Sequence, residues 1–144
     1  MNITVAARDL LKELELLGKV VAQKPTIPAL ANFLVQAEGQ GLRLAATDLE
    51  VGLITFCPAT VHTPGATTLP AKHLLEIVRL LGDRDLTFVL ERSAVKLSAG
   101  NYNANLQVYP ASDYPQLPSM KDLATITLPR QVQTIINRVR FAVS

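Results

Sequence analysis

The chain has 144 residues, room for one domain or two small ones, and such a chain buries roughly 70% of its unfolded surface, so a core needs no staples. Hydrophobic residues make up 49% and charged residues 18%, which is a globular composition and excludes a disordered one. The net charge of +2 is too small for a strong polyanion binder, so any nucleic-acid contact is expected to be light or local.

In chain order, residues 2–5 read as a short strand. A helix follows from about Ala7 to Val20 or Val21, with Leu10, Leu11, Leu14, Leu17 and Val21 as its buried stripe. Lys24-Pro25-Thr26-Ile27-Pro28 is a loop, because two prolines three residues apart forbid further helix. Leu30 to Glu38, the turn Gly39-Gln40-Gly41, and Leu42 to Thr47 make a hairpin. Asp48-Leu49-Glu50 turns into a strand from Val51 to Phe56, with Pro58 marking an edge strand or a strand end. Thr67-Thr68-Leu69 is again a strand. Pro70 is expected at the first helical position, where its missing N–H costs nothing. Leu74, Leu75, Ile77, Val78 and Leu81 give the helix its apolar stripe, and Gly82 is its expected stop. Leu86 to Glu91, Ala94 to Ala99 and Tyr102 to Val108 form a second meander of alternating strands.

The strand–helix unit is written three times, aligned on Thr4, Thr68 and Thr127 at offsets of 64 and 59 residues. Residues up to Val108 therefore read as two copies of strand, helix, strand, strand, strand. This is an α+β fold with antiparallel sheets on one side and two helices side by side on the other. Pro110 to Asp122 reads as an extended connector. The division expected is a first domain at 1–122 and the incomplete start of a second at 123–144, since one strand and one helix cannot bury their apolar faces alone.

Phosphate-loop, dinucleotide-binding, HExxH and CxxC patterns are all missing from the sequence. His62 and His73 are eleven positions apart with no cysteine pair, so a metal site is not expected. Cys57, the single cysteine, reads as packing and fits a reducing cytosol. The N-terminus lacks the pattern of a signal peptide, and no apolar run reaches the ~20 residues of a membrane span, so a cytoplasmic protein without a membrane role is expected. Asp48 and Glu50 could hold Mg²⁺ in a nuclease, but a polar corner between strands explains them more simply. The helices are more informative. Lys12 and Lys19, Lys72 and Arg79, and Arg130 and Asn137 with Arg138 beside them, are pairs about two turns apart, each pair on one helix face. Three such helices suggest a shared surface for phosphates. A protein-binding α+β module with no DNA role is the other alternative.

The stretches Lys24-Pro25-Thr26-Ile27-Pro28 with Leu30 and Asn32, Ala46-Thr47-Asp48-Leu49-Glu50, Gly65-Ala66-Thr67-Thr68-Leu69-Pro70-Ala71-Lys72 and Tyr109-Pro110-Ala111-Ser112-Asp113-Tyr114-Pro115 resemble the β sliding clamp of bacterial DNA polymerase III. The resemblance runs along nearly the whole chain. It implies the DNA-clamp (processivity) fold, no catalysis and no cofactor. Two subunits would close head to tail into a ring around duplex DNA, helices inside and sheets outside, tethering the replicative polymerase after loading by a clamp loader. It assigns DNA contacts to Lys12, Lys24, Lys72 and Arg79; Lys24 stands where the family has arginine, and Arg8 has no firm counterpart. It assigns the subunit interface to the strand Tyr102 to Val108, with His73, Tyr102, Ala104 and Leu106, where Ala104 replaces an expected large apolar residue. The family closes its ring through a third domain and binds partner peptides between the second and third. This chain alone is therefore expected neither to close a ring nor to bind those peptides.

Overall fold

The computed structural model describes residues 1–21, 25–117 and 127–142. The elements are β1 (Asn2–Ala6), α1 (Ala7–Leu17), β2 (Asn32–Glu38), β3 (Gly41–Thr47), β4 (Gly52–Pro58), β5 (Thr60–Thr63), β6 (Gly65–Pro70), α2 (Ala71–Leu81), β7 (Asp85–Glu91), β8 (Ala94–Ala99), β9 (Tyr102–Gln107) and α3 (Gln131–Val139). Short 3₁₀ turns at Pro28–Ala31, Ala111–Asp113 and Arg140–Ala142 complete the list.

The 64-residue repeat becomes a structural one. Both ends of α1 map onto both ends of α2 at that offset. The buried sets Ala7, Leu10, Leu14, Leu17 and Ala71, Leu74, Val78, Leu81 also correspond one to one. Leu10, Leu14 and Leu17 follow the i, i+4, i+7 spacing of a single helix face, and each such leucine contributes about 1.5–3 kcal/mol by leaving water.

The two copies exchange their first strands. One sheet runs β5-β1-β7-β8-β9 and the other β4-β3-β2-β6, all antiparallel. Thus β1 completes the meander of the second copy, pairing Val5 with Leu86, and β6 completes that of the first, pairing Leu69 with Phe33. Each sheet turns one face inward, and a single apolar cluster joins those faces (Ile3, Val5, Phe33, Val35, Leu44, Leu97) to the stripes of both helices.

The helices lie side by side, as the matching stripes predict. Arg79 of α2 bonds Glu15 of α1 at 3.1 Å, and a Cβ on Gly18 would stand 3.1 Å from Leu75 Cδ1. Three residues forward on one helix meet four back on the other, so the pair is antiparallel. Glu15 and Arg79 are themselves equivalent positions of the repeat, so a local twofold axis passes between them.

Several boundaries differ from expectation. Helix α1 stops at Leu17, not Val20 or Val21. Gly18 donates to Leu14 O, and Lys19 and Val20 then make i−3 bonds to Leu16 and Leu17, a tightened last turn. Val21 is accordingly only half-buried. Pro70 does not open α2; it closes β6 in extended conformation (ψ 115), and Ala71 is the first helical residue. Asn32, not Leu30, begins β2, because Pro28–Ala31 wind into a 3₁₀ turn. Strand β5 was not foreseen. Its four residues sit between Pro58 and Pro64 with only Val61 partly buried, too short for a periodic signal. Gly82 does end α2, at φ +61, ψ −124, a conformation open to glycine and strained for other residues.

The connector after β9 is less free than its prolines suggest. Through residue 117 it lies over the outer face of the four-stranded sheet, where Tyr114, Ala111 and Leu117 pack on Ala29, Leu34 and Ala45. The Tyr114 hydroxyl accepts a hydrogen bond from Thr47 N at 3.1 Å. Burial pushes that phenol's pKa up, with the Thr47 bond opposing. Residues 118–122 of the connector, and the strand expected to open the third unit at 124–126, lie outside the described residues. Helix α3 has no buried residue; Ile135, Ile136 and Val139 are exposed.

Candidate nucleic-acid interface

The polar faces of α1 and α2 carry the residues assigned to DNA. Lys12, Lys72 and Arg79 are all exposed on these helices; Lys24 lies outside the described residues. A groove of about 650 Å³ runs between the helices, lined by Lys12, Glu15, Leu16, Lys19, Leu75 and Arg79. Lys12 and Arg79 are thus brought to one groove, with Lys72 two turns before Arg79 on α2.

The face is less basic than the cation spacing suggests. Within the two helices Arg8, Lys12, Lys72 and Arg79 are matched in number by Asp9, Glu13, Glu15 and Glu76, and Lys19, just past the end of α1 at the same groove, leaves one cation in excess. Lys12 Nζ is 2.9 Å from Asp9 Oδ1, and Arg79 reaches Glu15 Oε1 through Nη2 at 3.1 Å and Nε at 3.3 Å. The i, i+7 reading placed the cations but not their carboxylate partners: Asp9 sits at i−3 on the same helix, and Glu15, at i,i+4 spacing from Lys19, reaches across the local axis to Arg79 instead. Leu16 and Leu80, equivalent positions of the repeat, are both exposed, Leu80 at 82%.

The edge assigned to a subunit interface is a second place of interest. Strand β9 is the edge of its sheet. Tyr102, Ala104 and Leu106 share one face of it by strand alternation, half-buried, half-buried and buried. A cleft of about 750 Å³ opens beside it, lined among others by Pro28, Pro70, His73, Leu106 and Tyr109. His73 and Leu106 therefore meet at one cleft, whereas Tyr102 and Ala104 lie farther along the strand and do not line it.

One group at this cleft was missed from the residues alone. Asn32 Nδ2 donates to Thr68 Oγ1 at 2.9 Å. Thr68 Oγ1 donates to Tyr109 O at 3.1 Å, accepts from Tyr109 N at 3.1 Å, and Thr68 N donates to Tyr109 O at 3.1 Å. The hydroxyl thereby uses its one donor and both acceptor sites. This buried network ties β6 to the chain leaving β9 and so joins the two sheets. Asn32 stood in a stretch that carried the resemblance, but no local pattern linked it to Thr68.

The acidic corner is a turn. Asp48 Oδ1 accepts from Glu50 N at 3.0 Å and Val51 N at 2.7 Å, while Leu49 sits at φ 81. Those Val51 and Glu50 N–H groups hold the Asp48 carboxyl below its ordinary range. Thr47 Oγ1 braces the same corner by donating to Val51 O at 2.8 Å and accepting from Leu49 N at 3.0 Å. Among the described residues no three His, Cys, Asp or Glu side chains gather as metal ligands. His62 Nε2 lies 3.1 Å from Thr4 Oγ1 on the β1–β5 pair, while His73 stands on α2. Cys57 is buried in the core, and burial, with the Glu13 and Asp9 carboxylates, pushes its thiol up to about 11, so it is a packing group rather than a nucleophile. No helix among the described residues is long and apolar enough to cross a membrane.

Comparison with known proteins agrees with this geometry. Residues 1–118 match the family described as the DNA polymerase III beta subunit, N-terminal domain. The beta sliding clamp of Caulobacter vibrioides is 36% identical over 148 residues, covering 100% of this chain and 40% of that protein. That of Escherichia coli K12 is 31% identical over 147 residues, with the same coverage. A Vibrio harveyi beta sliding clamp sequence is 31% identical, covering 99% of this chain and 100% of that sequence. Among solved structures, Caulobacter crescentus pol III beta superposes with a TM-score of 0.89 at 37% identity, over 100% of this chain and 40% of that one. The Pseudomonas aeruginosa sliding clamp bound to griselimycin gives 0.77 at 34% identity, over 83% of this chain and 33% of that one. This chain thus spans about 40% of the length of the Caulobacter and Escherichia relatives. From a family match across residues 1–118 and a clamp fold followed along its whole length, the chain belongs to the DNA polymerase III beta subunit family.

Proposed function

We propose that this chain is the first domain, residues 1–122, and the opening of the second, 123–144, of a bacterial DNA sliding clamp. The full protein works without an active site of its own. As a head-to-tail homodimeric ring in the cytoplasm it encircles duplex DNA, receives it from a clamp loader, and tethers the replicative polymerase. The observation that carries the reading is the antiparallel pair α1 and α2, exposed along one side and backed by two sheets. Retention by a closed ring is topological, so the DNA-facing side needs only weak contacts, and a helical face on which carboxylates offset nearly all the cations supplies no more than that.

On this reading Lys12, Lys24, Lys72 and Arg79 touch the phosphate backbone, each at most transiently. Such contacts carry no base information, so binding shows no sequence preference. The edge strand β9, with Tyr102, Ala104, Leu106 and the cleft at His73, faces the neighbouring subunit. The exposed apolar face of α3 is covered by the rest of the second domain.

Salt titration of duplex binding by this chain tests the DNA-facing assignment. With few contacts and no ring, the dissociation constant should be ~10⁻⁴ M or weaker, with a log–log salt slope of about −0.9 per phosphate neutralised. Lys72→Ala and Lys24→Ala should each make that slope shallower by about one and leave the melting temperature unchanged. Slopes identical to wild type for both variants would mean that neither residue meets DNA.

A further inference from the structure

Among the described residues there are two ion pairs, and each engages a cation that the clamp reading assigns to DNA: Lys12 with Asp9 and Arg79 with Glu15. Lys72, on the same surface, is in no ion pair among the described residues. We infer that Asp9 and Glu15 act as carboxylate brakes on the DNA-facing surface, engaging Lys12 and Arg79 so that a phosphate must share either cation with a carboxylate or displace it. The inference rests on the reading of this surface as the DNA-facing one.

The argument is one of exchange. A free lysine that meets a phosphate releases a cation from the DNA, and that release drives binding at low salt. A cation already held by a carboxylate gains little, because one exposed ion pair replaces another. Shared or displaced, the carboxylate then stands within a few ångströms of the duplex, repels it, and takes up a cation in its turn, which offsets the release. Lys12 and Arg79 therefore guide a passing phosphate without gripping it, while Lys72 makes the ordinary contact. For a ring that must move along the duplex this keeps each step shallow.

A purely structural role is available for one of the two pairs. Glu15 and Arg79 meet on the local twofold axis, where two cations would repel, so the pair also holds α1 to α2. The pair Lys12–Asp9 lies within one helix and joins no elements, so the two acidic residues separate the roles.

The experiment is the salt titration of duplex binding on this chain with Glu15→Gln, Asp9→Asn and, as a control with the same change in charge, Glu76→Gln. Glu76 is exposed on α2 and makes no ion pair among the described residues. Glu15→Gln and Asp9→Asn should each bind about two- to five-fold tighter at low salt, the scale of an exposed ion pair, with a slope steeper by up to about one. The gain in Glu15→Gln should vanish when Arg79→Ala is added, which a helix-stapling role would not produce. Equal gains in all three carboxylate variants would overturn the inference in favour of long-range charge. Unchanged binding in Glu15→Gln and Asp9→Asn, with Lys72→Ala still making the slope shallower, would overturn it alone and leave the DNA-facing reading standing. No effect of Lys72→Ala and Lys24→Ala either would overturn both.

Discussion

Leu14→Ala should lower the free energy of unfolding by about 3–4 kcal/mol, in the middle of the range for buried leucine truncation. Leu14 is 0% exposed and sits at the middle of the α1 stripe, with Leu10 one turn before and Leu17 one turn after. It faces the cluster formed by both sheets, so the hole left by three carbons has walls on every side and little freedom to collapse. Val78 holds the equivalent position on α2 and is equally buried. Val78→Ala removes two carbons and should cost less, about 2 kcal/mol. Urea unfolding checks both, with a shifted midpoint and an unchanged m value. A Leu14→Ala loss below 1 kcal/mol would mean that the stripe is not the centre of the core.

Gly41→Ala should cost about 2–3 kcal/mol, although the added group is one methyl on a hairpin strand. A Cβ at Gly41 would come 2.3 Å from Phe56 Cζ and 2.7 Å from Cys57 O. Phe56 is exposed and can swing away. The Cys57 carbonyl cannot, because it belongs to the β3–β4 ladder in which Leu42 faces Cys57 and Gly41 faces Pro58. The hairpin must then open at its first pair or shift β4. Gly39 offers the contrast. It has φ +60 and open space around its Cβ position, so Gly39→Ala pays only the left-handed backbone term of roughly 1–2 kcal/mol. Thermal melts of the two variants should rank Gly41→Ala well below Gly39→Ala. The reverse order would contradict the close approach of β3 and β4.

What was legible in the residues follows from what periodicity can carry. The stripes of α1 and α2 and the alternation of β7 and β8 are local patterns, and the equivalence of Thr4 and Thr68 gave the repeat its correct offset. The exchange of β1 and β6 between sheets was not legible, because a repeat identifies equivalent strands without saying which meander each one joins. The end of α1 was hidden because Val20 and Val21 continue the apolar count past Gly18, where the backbone tightens. Strand β5 was hidden between two prolines. On the candidate interface, spacing put Lys12, Lys72 and Arg79 on helix faces correctly. Their partners were opaque for two reasons. Asp9 lies close in sequence, but spacing alone does not choose it over the other carboxylates of α1, and Glu15 meets Arg79 only through the antiparallel packing of two helices 64 residues apart. Asn32, Thr68 and Tyr109 form a network only once both sheets exist.

The most direct test of a clamp is whether its hold on DNA is topological. On the proposed reading, a full-length clamp carrying this chain, supplied with a clamp loader, should be placed on nicked circular duplex and passed through a sizing column in moderate salt, before and after the circle is cut once. A ring held by enclosure stays with the circle in salt that abolishes phosphate contacts and leaves through the ends when the DNA is linearised. Equal retention on circular and linear DNA, or loss from both as salt rises, would contradict the account.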